Sequence, residues 1–477
     1  MKNLYMTLVA LMVASLSFGQ IELVKDICQG TNSSSPSEIY VFGDNLFFKA
    51  DAYYDANADG VYTGEGEYDY GIELWMSDGS PTGTTELVKD ILPGDGTSSV
   101  FDFFALNNNL YFSARNENTY PATVMYTTDG TEENTVPTGV THAALNPLQY
   151  GDLIYYVASN NLYSYDGSTS TLIDATVTVG GGIFTVFKDK LFLYMKTADA
   201  TTGSELYSYD VTNGFVPIKD VDEGTGSSSI SYFAVVGDKL YFEADNYLWE
   251  TDGTTDGTVA VSSASTIGGV KYLYAWNGKL YFEGDDGSKD QLWVFDPTGE
   301  GSVTNISMLK DDLDADVDHN PIHFAAIGDY LYYAADDADA SSTDDLLYRT
   351  DGTNIELVES GITKIDDIVV MNDVLYFEGY AAAKGNELYK FDPLTLDVAD
   401  AAYASSLSIY PNPTEGTINI AGLVSADAKY TVFDIAGRTV MAGVVAGQSI
   451  DLDVEAGIYM LQLVDNGIKL VHKIQVK

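Results

Sequence analysis

The chain repeats itself. A short apolar and aromatic run recurs as Leu46-Phe47-Phe48, Leu110-Tyr111-Phe112, Ile154-Tyr155-Tyr156, Leu191-Phe192-Leu193, Leu240-Tyr241-Phe242, Leu280-Tyr281-Phe282, Leu331-Tyr332-Tyr333 and Leu375-Tyr376-Phe377, eight times in all. A turn pair stands just before most of these runs, as at Gly43-Asp44, Gly151-Asp152, Gly237-Asp238, Asn277-Gly278, Gly328-Asp329 and Asn372-Asp373. Another apolar run precedes each turn, as at 232–236 and 272–276. Two β-rich runs joined by Gly, Asn and Asp read as a hairpin, because those residues tolerate the positive φ of a tight turn. A third run follows each time: Leu74-Trp75, Met125-Tyr126, Leu162-Tyr163, Leu206-Tyr207, Leu248-Trp249, Leu292-Trp293, Leu347-Tyr348 and Leu388-Tyr389. Four of them lead into Asp78-Gly79, Asp129-Gly130, Asp252-Gly253 and Asp351-Gly352. A fourth β-rich run comes next, as at 86–91, 215–221 and 355–359. Four short antiparallel strands in about 45 residues is the size of one propeller blade.

Almost no segment beyond the N-terminus shows helical periodicity, so the expected class is all-β. The second run of each unit is nearly continuously apolar, as befits a strand covered on both faces by neighbouring blades. Eight blades closed into a ring is the main expectation. Seven, with a degenerate unit at 145–175, is the alternative. Closure is also written in the chain: 21–27, "IELVKDI", matches the fourth-strand run 86–91, "ELVKDI". The last unit stops at its third strand, near 388–396. The N-terminal strand is therefore expected to complete the final blade and leave no free edge there. Short Asp-Gly and Gly-Asp turns fall on one face of such a ring and read as turn chemistry. The long connections 51–71, 310–320 and 336–345 fall on the other, where binding usually sits.

Residues 1–19 read as a signal peptide: Lys2, an apolar run over 4–18, and small residues at Ser17 and Gly19. The run is too short for a membrane span, and Cys28 lacks the small residues of a lipoprotein cleavage box before it. These features predict a secreted protein with no transmembrane segment. Cys28 is the only cysteine, so no intramolecular disulfide forms. The formal net charge of -48 argues against nucleic acid and anionic membranes as partners. With 45% hydrophobic residues the chain has the composition of a folded protein.

Asp55-Ala56-Asn57-Ala58-Asp59-Gly60 is the one stretch that carries specific chemistry. Alternate oxygen-bearing side chains point at one hard cation, and Gly60 permits the sharp turn. Over these six residues it resembles EF-hand-type and integrin-type calcium loops. It departs from them at the twelfth position, Gly66, where Glu65, Glu67 or Asp69 could substitute. Asp312, Asp314, Asp316 and Asp318 alternate in the same way without a glycine. Calcium is the cofactor these residues suggest; a solvated acidic loop is the competing reading of both. His319 and His323 are four apart, but Pro321 between them spoils a helical zinc pair. No nucleophile elbow, zincin motif or phosphate loop is present, so no catalytic residue is singled out, although paired carboxylates for glycoside hydrolysis stay open. Only three arginines, Arg115, Arg349 and Arg438, argue against a sialidase-like site. Tyr53, Tyr54, Tyr62, Tyr68 and Tyr70 could stack on sugars or pack among themselves.

The register changes after the propeller unit (20–396). Residues 397–406 read as a linker, and 407–477 as a small Ig-like β-sandwich. Pro411-Asn412-Pro413 with Gly416, then Val432-Phe433-Asp434 with Gly437-Arg438, then Gly457-Ile458-Tyr459 and Lys473 occur in that order. These blocks resemble the type A C-terminal sorting domain of the type IX secretion system. The resemblance implies that the secretion machinery is a partner. It also implies export across the outer membrane of a Gram-negative cell, with the protein then attached to the surface or released. The repeats also resemble the ELWxTDGTxxGT repeats of large bacterial surface proteins, which brings no defined activity. The expected function is a surface binding or adhesion module for an extracellular glycan or protein. A hydrolase on a propeller scaffold and a structural surface protein are the alternatives.

Overall fold

The computed structural model describes residues 21–54, 68–198, 202–298, 301–309, 317–337, 345–358, 361–393, 407–422, 428–433, 439–445, 447–465 and 468–477. The signal peptide and linker expected at 1–19 and 397–406 lie outside these residues. The described chain forms two compact units, Ile21–Phe391 and the segment after it.

The first unit holds eight four-stranded antiparallel sheets. Seven are continuous in sequence, at 37–89, 101–137, 145–172, 177–219, 231–260, 268–305 and 322–357; we number these blades 1 to 7. Blade 8 takes three strands from Thr363–Met371, Val374–Ala381 and Gly385–Phe391, and its fourth from Ile21–Lys25 at the other end of the unit. The first strand of each blade neighbours the first strand of the next, and Thr363–Met371 of blade 8 neighbours Ser37–Phe42 of blade 1. The contacts therefore close a ring, with the first strands around its axis. The segment 145–175 forms a complete blade with a short fourth strand, Ser170–Leu172.

Burial explains why these residues form this ring. Leu46, Leu110, Leu191, Leu240, Leu280, Leu331 and Leu375, on the second strands, are fully buried. Each core cluster draws on two neighbouring blades, so a blade is stable only beside its neighbour. At the closure, Val24, Ile27, Met371, Tyr376 and Leu388 of blade 8 pack with Leu46, Phe48 and Trp75 of blade 1. Ile21 pairs with Phe391, Glu22 with Lys390 and Leu23 with Tyr389. Burying each large apolar side chain contributes about 1.5–3 kcal/mol, which is what holds the N-terminal strand in place.

The repeated Gly-x-Glu before the third-strand pair also has a physical reason. Glu73 accepts hydrogen bonds from the amides of Ile91 (2.8 Å) and Leu92 (3.3 Å). Glu205 does the same for Val221 (2.8 Å) and Ser228 (3.2 Å). Glu387 accepts from the amides of Ile27 (3.0 Å) and Cys28 (3.1 Å) and from the Ser34 hydroxyl (2.6 Å). Each glutamate is buried and fastens the segment that leaves the fourth strand of its own blade. The glycine two residues earlier lets that segment cross. A Cβ on Gly71 would lie 1.9 Å from the Gly96 carbonyl oxygen, and one on Gly385 would lie 2.2 Å from that of Asn32.

The Asp-Gly turns follow a second rule. Gly79, Gly130, Gly253 and Gly352 donate their amides to the hydroxyls of Ser77, Thr128, Thr251 and Thr350, at 2.9–3.0 Å. The aspartate of each turn accepts the amide two residues on, as Asp78 does from Ser80 (2.9 Å) and Asp252 from Thr254 (2.9 Å). The later glycine leaves room for that carboxylate: a Cβ on Gly83 or Gly257 would lie 2.1 Å from Asp78 or Asp252. Gly257→Ala is therefore expected to cost about 1–3 kcal/mol through overpacking of the turn. Equilibrium denaturation measures this; a cost below about 0.5 kcal/mol would remove the steric account.

One expectation needs correction. The connection expected over 51–71 is shorter than its sequence suggests, because both flanking strands run into it, as Asn45–Tyr54 and Tyr68–Ser77. Tyr53 pairs with Asp69 across this extension. Tyrosines favour pleated, half-buried positions, and Tyr68 and Tyr70 stack at 5.1 Å and pack on the closure core.

The second unit is a two-sheet sandwich. Ser408–Tyr410, Thr417–Ala421 and Ser449–Asp451 form one sheet. Lys429–Phe433, Thr439–Val444, Gly457–Asp465 and Ile468–Val476 form the other. Ile418, Ile420, Val432, Leu461, Leu463 and Ile474 share one core. The only helical turn among the described residues is Ser262–Ala264, in blade 5.

Candidate functional site

The first strands carry an eightfold feature that differs from the rest of the packing. Each one breaks register with its second strand near its start, on the side of the long connections. One residue in each strand has a left-handed backbone at such a break: Glu38, Asp102, Asn146, Gly181, Tyr232, Tyr272, His323 and Asp367, with φ between 50° and 59°; the strands of blades 6 and 8 break once more, at Gly269 and Lys364. Asn, Asp, His and Gly tolerate this region, whereas a bulky residue there is strained by about 1–3 kcal/mol. Such bulges re-aim side chains, here at the end of the inner strands that meets the long connections, which is the mouth of the ring's central channel.

Several of these side chains reach to the next blade. Asp367 of blade 8 accepts the Ile39 amide of blade 1 at 2.8 Å. Glu38 of blade 1 accepts the Asp102 amide of blade 2 at 3.4 Å. His323 of blade 7 pairs with Asp366 of blade 8 at 2.6 Å. Tyr232 of blade 5 lies against Tyr272 of blade 6, ring centroids 5.1 Å apart. Blades 7, 8, 1 and 2 thus form a charged sector, and blades 5 and 6 an aromatic one.

Electrostatics sharpen the charged sector. Burial pushes Asp102 up to about 6, against the Asn146 amide, which lowers it. Burial also pushes Asp345 up to about 6, with Asp336 and Asp366 adding repulsion. Glu378 is raised to about 7 by burial, despite a 2.7 Å hydrogen bond from the Asn386 amide group. It stands opposite Asp366 in the blade 8 ladder. Burial pulls His323 down, but the hydrogen bond and charge of Asp366 outweigh it and leave the imidazole raised. Asp366 is lowered, first by that same hydrogen bond.

Most of the residues expected from sequence to hold calcium are not among those described. Asp55, Asn57, Asp59, Asp312, Asp314 and Asp316 lie outside the described residues. Asp69 sits on Tyr68–Ser77 and accepts the Gly71 amide at 3.1 Å. Asp318, which closes the second alternating run, is bound by Lys289 at 2.7 Å. Among the described residues no group of three or more His, Cys, Asp and Glu side chains is arranged to hold a metal ion. His319 is fully buried, its Nδ1 2.8 Å from the Asp336 carbonyl oxygen, and burial lowers it to about 4.

The channel residues escaped the sequence reading because their types differ from blade to blade. A faint signal existed: a polar or tyrosine residue interrupts most first-strand runs at the same place, as in "SEIYVF", "FDFFAL", "SYFAVV" and "IHFAAI".

In the C-terminal unit the Asn412 side chain bridges two strand-end groups. It donates to the Lys473 carbonyl (2.8 Å) and accepts the Gln475 amide (3.0 Å). Pro411 and Pro413 flank it. Gly416 has φ 134° and passes its carbonyl to the Leu452 amide. Gly457 opens Gly457–Asp465, where the Tyr459 hydroxyl donates to the Glu455 carbonyl at 2.9 Å. Gly437 and Arg438 lie outside the described residues.

Fold and tail together define a class, an eight-bladed β-propeller carrying an export module. Residues 408–477 match the family described as the secretion system C-terminal sorting domain. The tail is a type IX sorting domain, and it directs the protein to the cell surface or extracellular space of a Gram-negative bacterium. No described helix is long and apolar enough to cross a membrane. No curated protein matches the sequence. Among solved structures, the chain is similar to PorZ, a bacterial surface component of the type IX secretion system of Porphyromonas gingivalis. The identity is 13%, over 92% of this chain and 70% of that one, with a TM-score of 0.41. The β-propeller domain of the Trilobed protease from Pyrococcus furiosus matches at 12% identity, over 69% and 99% of the two chains, TM-score 0.38. An oligogalacturonate lyase in complex with manganese matches at 13%, over 61% and 86%, TM-score 0.41. Likenesses this distant carry no statement about activity.

Proposed function

We propose that the protein is a surface-displayed binding module whose ligand, a glycan or a protein, docks at the channel mouth on the face of the long connections. The observation that carries this reading is the ring of left-handed bulge residues. Two tyrosines and Glu38 occupy strained positions where Asn, Asp or Gly would be less strained. A rigid ring that presents polar and aromatic groups at one mouth suits recognition. Surface arrays of the cell's own and foreign glycans are the natural panel to test. Binding that disappears in Asp102→Asn/Asp367→Asn supports the site, and undiminished binding in that variant would move it elsewhere.

Calcium belongs to the same proposal, through Asp55, Asn57, Asp59 and Asp69. Burial raises Asp51, and the Asp69 carboxylate on the neighbouring strand raises it further. A cation in the adjoining loop would relieve that repulsion. Calcium is expected to raise the melting temperature over that in chelator by several degrees, or roughly RT ln(1 + [L]/Kd) in free energy. An identical melting temperature in both would end the calcium reading.

A second reading, hydrolysis, has one observation in its favour. Glu378, raised to about 7 opposite the lowered Asp366, has the pairing of a general acid with a carboxylate. Turnover of a chromogenic glycoside that is abolished by Glu378→Gln would establish it in place of simple binding.

A further inference from the structure

We infer that Tyr232 and Tyr272 form a platform for a neutral sugar ring, so that the ligand of the channel mouth is an uncharged oligosaccharide. This rests on the reading of the channel mouth as a ligand site. Both tyrosines sit at the bulge position with φ 52° and 53°, a conformation that disfavours bulky side chains. The equivalent places in blades 2, 3 and 7 hold Asp102, Asn146 and His323, types that accept it readily. Packing alone would be served by such residues here too. Tyr272 is 39% exposed on a channel-lining strand, so its ring is available as well as strained.

The groups beside the rings select the ligand by charge. Lys271, next to Tyr272, pairs with the buried Glu283 at 2.5 Å. Ser231, next to Tyr232, donates its hydroxyl to the buried Glu243, whose other oxygen accepts the Asn246 amide at 2.5 Å. Lys271 and Glu283 neutralise each other as a pair, and Glu243 is buried with both oxygens hydrogen-bonded inside the protein, so little net charge is offered to a charged ligand. A neutral ring then fits, with an apolar C–H face for the phenol and hydroxyls for the half-exposed Lys271 ammonium and the phenol oxygens. The charged sector begins at the next blade, blade 7, whose first strand neighbours that of Tyr272.

The test is calorimetric titration of the full chain with neutral hexaoses (cello-, xylo-, manno-, laminari- and chitohexaose), with oligogalacturonate hexamer and with hexalysine. A neutral hexaose is expected to bind. Tyr272→Asn, which installs the residue type of blade 3, is expected to weaken it at least about tenfold while the melting temperature stays within about 2 °C. Tyr272→Phe should retain most of the affinity. Should Tyr272→Asn fail to fold, Tyr232→Phe/Tyr272→Phe and Lys271→Met serve instead, the first binding and the second weakened. Binding of a neutral hexaose that Tyr272→Asn leaves intact overturns the inference. Binding of only hexalysine or oligogalacturonate, lost in Asp102→Asn/Asp367→Asn, overturns it while leaving the channel mouth as the ligand site. No binding of any neutral hexaose overturns the inference, and if surface-glycan binding is also unaffected by Asp102→Asn/Asp367→Asn, the channel-mouth reading falls with it.

Discussion

A chain lacking Ile21–Lys25 is expected to melt at least about 10 °C lower than the full chain, or to lose its single cooperative transition. This strand supplies the fourth strand of blade 8, although it begins the unit and blade 8 ends it. Its loss removes a ladder to Gly385–Phe391 and the burial of Val24 in the closure core. It also removes the segment that Glu387 binds, because Ile27 and Cys28 are held through that ladder. Val24 alone contributes about 1.5–3 kcal/mol, and an exposed edge of Leu388 and Tyr389 invites aggregation. Differential scanning calorimetry measures the effect. An unchanged melting temperature would mean that blade 8 is stable with three strands and that the ring does not depend on its N-terminal strand.

The second large effect is in pH. Burial raises Glu73 to about 8 and Glu387 to about 7, in both cases against the backbone amides they accept. Burial raises Glu378 to about 7. The ordinary value for such a carboxyl is 4.5. A carboxyl raised on folding favours the folded state when protonated. That stabilisation is complete below about pH 4.5 and is lost as pH rises through about 7 to 8. Net charge acts in the same direction, since -48 charges repel one another more at high pH. The melting temperature is therefore expected to fall between pH 5.5 and 8.5, opposite to the common behaviour of carboxylates that are paired in the folded state. Glu387→Gln, which keeps a carbonyl oxygen for the Ile27 or Cys28 amide, should flatten the slope. Glu387→Ala should cost about 3 kcal/mol, because it leaves buried donors without an acceptor. A melting temperature that rises toward pH 8.5 would contradict the assignment of raised values to these glutamates.

The repeat was legible because turn chemistry and aromatic runs recur at fixed offsets. Leu240-Tyr241-Phe242 after Gly237-Asp238 spells a hairpin, and "IELVKDI" at the N-terminus spells the missing fourth strand. Both readings rest on local physics, the positive φ of the turn and the double burial of the second strand. The site was much less legible. Long acidic connections attract attention through composition, yet part of 51–71 is strand, and Asp318 is tied to Lys289. The channel ring is conserved in backbone conformation and varied in residue type, from Glu38 to Tyr272, so no residue pattern announces it. The buried glutamates were hidden for a related reason. Glu73 and Glu387 precede an apolar pair, where a charged residue ordinarily faces water. Only tertiary structure reveals the amides that they bind.

Hydrogen exchange of the full chain, with and without the neutral hexaoses named above, tests the central claim most directly. The account predicts that protection on binding concentrates in the first strands around the channel mouth, above all Ser231–Val236 and Gly268–Trp276. The Asp-Gly turns at Asp78, Asp129, Asp252 and Asp351 should exchange as before. Protection confined to those turns, or to the outer fourth strands, would contradict it.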